Sequence, residues 1–241
     1  MIILNADQDA ELPLRAYIVA FDGATGEERW RIDRPNRIRS YTPPAVFQAA
    51  GKTQMVVSGC ECVTSYDPDT GRQHWIIDGP TEQFCASLVY TDGMFMMTGG
   101  WPEHHILGIR PDGTGNVTDT HVAWHLREAK ITSYVPSPIA AGETFFVVSD
   151  GGIATCLQAR TGRTVWSERL GKHHSASPVS AEGRLYFLDD DGVMHVLRAA
   201  PEFEVLAEND LGEACRASPA VSRGQIFLRA RHHVYAIGAD E

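Results

Sequence analysis

No apolar run in the 241 residues approaches the roughly 18 needed to cross a membrane as a helix. The N-terminal Met1-Ile-Ile-Leu-Asn-Ala-Asp7 lacks a basic segment ahead of a long apolar core. It reads as a β-strand and not as a signal peptide. Basic residues are short in supply, 21 Lys and Arg against 31 Asp and Glu, for a net charge of −10. That balance argues against nucleic acid or an anionic membrane as the main partner. No C-x-x-C pair occurs among the five cysteines, Cys60, Cys62, Cys85, Cys156 and Cys215. Cys60 and Cys62 fall on one strand face, poor geometry for a disulfide with each other. The odd count predicts free, mostly buried thiols. There is no 12-residue stretch of sustained helical periodicity, no G-x-S-x-G, no Gly-rich phosphate loop and no H-E-x-x-H.

What the sequence does contain is a repeat. Ala20-Phe-Asp-Gly-Ala-Thr-Gly-Glu-Glu-Arg-Trp30 returns as Ser65-Tyr-Asp-Pro-Asp-Thr-Gly-Arg-Gln-His-Trp75 and as Leu157-Gln-Ala-Arg-Thr-Gly-Arg-Thr-Val-Trp166. Each copy is a β-rich strand, a tight turn closed by Thr-Gly and a second strand carrying a Trp. The Gly suits a turn position with positive φ. The indole offers a large apolar surface that can pack over the turn of a neighbouring unit. Trp30, Trp75, Trp124 and Trp166 are spaced by 45, 49 and 42 residues, and Leu206 takes the next place 40 further on. A second marker, Thr42-Pro43, Ser87-Leu88, Ser137-Pro138, Ser177-Pro178 and Ser218-Pro219, recurs at 45, 50, 40 and 41. A period of 40–50 residues fits one four-stranded propeller blade.

The predicted fold is therefore all-β, a single β-propeller domain over 1–241 built of four-stranded antiparallel blades. Its six blade-like repeats fall at about 1–33, 42–78, 85–126, 136–170, 176–210 and 217–241. In the blade at 176–210, strands are expected at 176–180, 184–188, 193–197 and 204–208, with Ala200-Pro201 where the Thr-Gly turn has decayed. The blade at 85–126 carries an expanded turn, Arg110–Asp119. The first and last repeats hold three strands each, 22 in all against 24 for a neat six-bladed ring. The expectation is an incomplete or irregularly closed ring whose open edges could support self-association.

Ala-x-Asp-x-x-Thr-Gly-x-x-x-Trp, complete at Ala20–Trp30, resembles the repeat of the PQQ-like (quinoprotein dehydrogenase-like) β-propellers. Ser65–Trp75 departs at its first residue and Leu157–Trp166 lacks the Asp. The resemblance covers nearly the whole chain. It implies that Trp30, Trp75, Trp124 and Trp166 dock across adjacent blades. The family includes quinone-dependent dehydrogenases, and also binding propellers without quinone, among them the outer-membrane assembly lipoprotein of Gram-negative bacteria. The quinone enzymes place adjacent cysteines over the cofactor and use a Glu/Asn/Asp calcium site. This sequence has no Cys-Cys pair, so no PQQ is expected. The resemblance also implies an exported or periplasmic protein, which the N-terminus does not supply a signal for.

Segments just before each first strand should line the channel mouth. Three residues before the marker stand Arg39, Phe84, Tyr134, His174 and Cys215. One earlier come Ile38, Gln83, Ser133, His173 and Ala214, and one later Ser40, Cys85, Val135, Ser175 and Arg216. Alternation lets only one of these rows face the channel. Arg39, Tyr134 and His174 are the candidate catalytic residues, and with Gln83, His173 and Arg216 they compose a polar funnel. Two readings compete, ahead of a third, a quinone-dependent dehydrogenase, which would need bound quinone. One is a non-catalytic scaffold that binds a protein or saccharide at the funnel or an open blade edge. The other is a lyase or hydrolase on an acidic carbohydrate, with Tyr134 and His174 exchanging protons and Arg39 holding a carboxylate. Neighbouring histidines (His104-His105, His173-His174, His232-His233) point to opposite faces and cannot chelate one metal alone, so no zinc is expected. Asp189-Asp-Asp-Gly192 reads as a solvated turn and not as a calcium loop. Asn116-Val-Thr118 is a sequon.

Overall fold

The computed structural model describes residues 1–7, 16–34 and 40–238. It consists of six consecutive sheets, antiparallel except that the second gains a parallel edge strand from the long turn of the third. The first holds β1 (Ile2–Ala6), β2 (Tyr17–Phe21) and β3 (Glu28–Asp33). The second holds β4 (Ala45–Ala49), β5 (Lys52–Gly59), β6 (Cys62–Tyr66) and β7 (Gln73–Asp78). The third holds β8 (Val89–Thr91), β9 (Met94–Gly99), β10 (His105–Ile109) and β12 (Val122–Leu126), with β11 (Gly115–Asn116) and the one-turn α1 (Thr118–His121) before the last strand. The fourth holds β13 (Ile139–Ala141), β14 (Thr144–Val148), β15 (Ile153–Gln158) and β16 (Thr164–Arg169). The fifth holds β17 (Val179–Ala181), β18 (Arg184–Leu188), β19 (Val193–Arg198) and β20 (Val205–Asp210). The sixth holds β21 (Ala220–Ser222), β22 (Gln225–Arg229) and β23 (Val234–Gly238).

The apolar cores sit between successive sheets and not in one centre. Ile18, Trp30 and Ile32 of the first sheet pack on Met55 and Val57 of the second. Trp75 and Ile77 pack on Phe84, Phe95 and Met97. Met96 and Ile106 meet Phe145 and Leu157. Phe146 and Cys156 meet Leu185 and Phe187, and Leu188 and Met194 meet Leu228 and Ala230. Each indole thus belongs to a different inter-sheet layer. Among the described residues no such layer joins the sixth sheet to the first. The six sheets stack as the blades of a β-propeller, and among the described residues the ring does not close.

The Thr-Gly hairpins explain the stacking. In the first two copies the Asp carboxylate accepts two backbone N–H groups, Ala24 and Thr25 on Asp22, Asp69 and Thr70 on Asp67. Where Asp is missing, Gln158 takes the Thr161 hydroxyl at 2.9 Å. The Gly then turns at positive φ, +76° at Gly26, +72° at Gly71 and +68° at Gly162. The bare Gly leaves room for the preceding blade's indole. Trp30 lies over Gly71 and donates its N–H to the Pro68 carbonyl at 3.0 Å. Trp124 lies over Gly162 and donates to Ala159 at 2.8 Å.

The other two indoles show what happens when the facing turn changes. Trp75 faces the expanded turn of the third blade. Its N–H goes to Gln54 Oε1 at 2.9 Å, and Gln54 Nε2 donates onward to the Pro111 carbonyl at 2.9 Å. Trp166 faces the decayed Ala200-Pro201 turn. It packs edge-on to Phe203 at 5.0 Å, and its buried N–H has no partner.

The expanded turn at 110–119 folds back on the second blade, where β11 pairs in parallel with β7. Asn116 Nδ2 donates to Asp78 at 2.5 Å, and the Asp78 N–H donates to Thr118 Oγ1 at 2.9 Å. All five cysteines are free thiols. No helix among the described residues is long and apolar enough to cross a membrane, which says nothing of strands.

Candidate functional site

The serines of the second marker stitch neighbouring blades around the axis. Ser87 N–H donates to Ser137 Oγ at 3.0 Å, Ser137 N–H to Ser177 at 2.9 Å, and Ser177 N–H to Ser218 at 3.0 Å. This collar fixes which way the preceding residues point. Phe84, His174 and Cys215 turn into the inter-blade cores and are buried. In the row one residue later, Val135 and Arg216 are exposed, Cys85 and Ser175 are half-buried, and Ser40 is buried.

Two aspartates hold the funnel mouth in place. Asp150, from the β14–β15 turn, accepts the N–H groups of Tyr134 and Val135 at 2.7 and 3.1 Å. Asp190, from the β18–β19 turn, accepts the N–H and hydroxyl of Ser175 at 2.8 and 3.0 Å. Neither was singled out in the sequence as more than a turn residue. Yet they stand 40 residues apart, the interval between Ser137 and Ser177, so the repeat itself carried the signal.

Tyr134 and His174 both give their backbone N–H to Asp150, to its carboxylate and its carbonyl respectively, but their side chains go to different partners. Arg39 lies outside the described residues. Tyr134 donates its hydroxyl to Gln83 Oε1 at 3.3 Å and contacts Cys85. Burial first, and then the Cys85 thiol, push its phenol well above the ordinary range. Gln83 in turn pairs through its backbone with Trp101 at 3.2 Å. His174 is only 2 % exposed. Its Nε2 meets the Leu170 carbonyl, its Nδ1 has no partner, and burial lowers its pKa. Its ring lies 6.4 Å from His195, which is 3.5 Å from Asp189. Tyr134 and His174 therefore share no hydrogen bond. His173 is exposed, and its carbonyl accepts the Asp190 N–H at 2.9 Å. Arg216 reaches Asp190 at 3.4 Å.

Around Tyr134 the surface is aromatic. Trp101 is 58 % exposed, Tyr41 52 % and Val135 43 %. Tyr41 is tied by its N–H to the Phe84 carbonyl at 2.8 Å. A cavity of about 430 Å³ is lined by Trp101, His104, Lys130, Tyr134, Asp150 and Arg169 among others, but not by Tyr41 or Val135. Tyr41 stands one residue before the Thr42-Pro43 marker and Trp101 opens a loop of the third blade, 101–105, but neither repeats a residue type of the other blades, which leaves the sequence without a site signal for them. Among the described residues no three His, Cys, Asp or Glu side chains are grouped as a metal site.

No curated protein matches the sequence. Among solved structures, the crystal structure of BamB from Moraxella catarrhalis is similar at 12 % identity and a TM-score of 0.48, over 98 % of this chain and 95 % of that one. A family model described as outer membrane protein assembly factor BamB matches residues 14–147, 116–201 and 152–241. With repeats, blade stacking and family match in agreement over almost its full length, the chain belongs to that family of PQQ-like propellers.

Proposed function

We propose that the protein is a non-catalytic scaffold that seats a partner protein on the funnel face carrying Tyr41, Trp101 and Val135. One observation carries the reading: large apolar side chains stay exposed there on a frame whose polar groups are already bonded to one another. Trp101 and Tyr41 are more than half exposed, while Gln83 and Tyr134 pair at 3.3 Å and Asp150 holds the backbone beneath them. Rigid exposed aromatics beside an apolar neighbour are what protein interfaces use as anchors. The matched family is described as an assembly factor, and from that description only a protein partner is carried over. Acid–base chemistry by Tyr134 and His174 draws no support from their side chains, which bond to Gln83 and to the Leu170 carbonyl and not to each other.

The test is site-specific photocrosslinking of the full chain in cells of its own source. A benzophenone amino acid replaces Trp101 or Val135, with Glu168 on the outer strand β16 as control. Discrete protein adducts at 101 and 135 and none at 168 are expected. The partner so identified should bind the Tyr41→Ala, Trp101→Ala double variant at least about tenfold more weakly. Equal labelling at 168, or adducts to glycan without protein, would overturn the proposal.

A further inference from the structure

On a chain with ten more acidic than basic residues, most described arginines have an anion or a carbonyl in reach. Arg29 is paired with Asp22, Arg160 with Asp92, Arg198 with Glu204, and Arg169 with two carbonyls. The sixth blade gathers three arginines at one place. Arg216, Arg229 and Arg231 line one cavity of about 410 Å³, together with Ala214, Ala217 and Ala230. Among the described residues Arg229 and Arg231 make no ion pair. Arg216 has Asp190 at 3.4 Å, but that carboxylate already holds Ser175 through two hydrogen bonds. Glu213, the other acid of this neighbourhood, is taken by His232 N–H, His233 and the Tyr235 hydroxyl.

The backbone beneath the arginines is fixed. Arg231 N–H donates to the Ala214 carbonyl at 3.0 Å, and Ala230 N–H to His233 at 2.9 Å. The Cys215 thiol between Ala214 and Arg216 is buried and points at the Arg229 carbonyl at 3.1 Å. Ala214, Ala217 and Ala230 complete the lining with small side chains. Three arginines lining one cavity concentrate positive charge around it, and guanidinium forks match planar oxyanions two bonds at a time.

We infer that this cavity is a binding site for a small ligand carrying oxyanion groups, carboxylate or phosphate, held by Arg216, Arg229 and Arg231. The site is independent of the aromatic face and stands or falls apart from it. Isothermal titration of the full chain at low ionic strength tests it, with citrate in one arm and inorganic phosphate in the other. Saturable binding of citrate alone assigns a carboxylate ligand, and of phosphate alone a phosphate ligand. Binding of both assigns a general oxyanion site. In each case the Arg229→Ala, Arg231→Ala variant should lose at least about a hundredfold in affinity, tenfold for each lost charge-assisted contact. Arg184→Ala, a surface arginine paired with Glu182, should bind as the parent does. If the alanine variant fails to fold by far-UV circular dichroism, Arg229→Lys, Arg231→Lys keeps the charge, removes the fork and should still weaken binding several-fold. No saturable binding of either probe, or undiminished binding by the folded variants, overturns the assignment.

Discussion

Three glycines close the same turn at nearly the same backbone angle, and only their surroundings differ. Gly26, Gly71 and Gly162 have φ of +76°, +72° and +68°. A Cβ on Gly26 would meet nothing within 4 Å, on Gly71 the Trp30 ring at 2.9 Å, and on Gly162 the Trp124 ring at 2.5 Å. Ala at positive φ costs about 1–2 kcal/mol, less about 0.5–1 for the stiffer unfolded chain. Gly26→Ala should therefore lose about 1 kcal/mol. At Gly162 the ring must also retreat by roughly 1 Å to restore an ordinary carbon–carbon contact. It cannot do so freely, because Trp124 Nε1 is held on the Ala159 carbonyl at 2.8 Å. Overpacking of that kind adds about 1–3 kcal/mol, for a total near 2–4. With about 2–4 °C of Tm per kcal/mol at this size, Gly26→Ala should melt a few degrees low and Gly162→Ala roughly 4–16 °C low. Gly71→Ala should fall between them. The assay is thermal and urea unfolding followed by far-UV circular dichroism. Equal losses at the three sites, or the greatest loss at Gly26, would refute the claim that the indole docks on the turn.

The indole N–H groups give a second comparison. Trp124→Phe removes a donor bonded to Ala159 and should cost about 1–2 kcal/mol beyond the lost ring area, whereas Trp166→Phe removes a buried donor without a partner and should be nearly neutral by urea midpoint. Histidines give a pH prediction. His105 Nδ1 and His125 Nε2 lie 2.8 Å apart with His105 fully buried, and burial lowers the pKa of both and of His174. A group whose folded pKa is lowered binds fewer protons folded than unfolded, so its contribution is complete above 6.5 and shrinks as pH falls below that value. Each histidine kept neutral should remove about 1.4 kcal/mol per pH unit in that window. Glu213, lowered to about 2 from 4.5, acts only further down. Urea midpoints from pH 7.5 to 5 should therefore decline, and His105→Leu should flatten the decline. A flat or rising profile in the parent protein would sink this account.

The blades were legible because their information is local. Alternating apolar strands, Asp-Gly turns and a Thr-Gly close every hairpin within a dozen residues, and β18 falls at Arg184–Leu188 as the pattern predicts. The first strands were less legible. A strand was expected at 176–180, but β17 runs Val179–Ala181. Ser177 gives its N–H to Ser218 in the next blade, and Pro178 has none to give, so neither can join the ladder of its own sheet. The same non-local bonds set the phase of the funnel rows. That is why His174, attractive by composition, lies in the core, while Val135 and Arg216 lie outside. The expanded turn of the third blade likewise shows in the sequence only as extra length, since a two-residue parallel pairing such as β11 with β7 leaves no periodic trace.

The decayed fifth-blade turn carries this one step further. Its loss of Thr-Gly is visible at Ala200-Pro201, yet the physical consequence appears in the fourth blade, where Trp166 keeps its burial and loses its acceptor. In the second blade a comparable change is compensated from within. Gln54 accepts from Trp75 and passes a hydrogen bond to Pro111, so the altered turn still receives one. A repeat motif in this fold is therefore half of a contact, and its other half lies in the neighbouring repeat. Reading each copy singly finds the blades, and reading adjacent copies together finds which indoles are held and which are only packed.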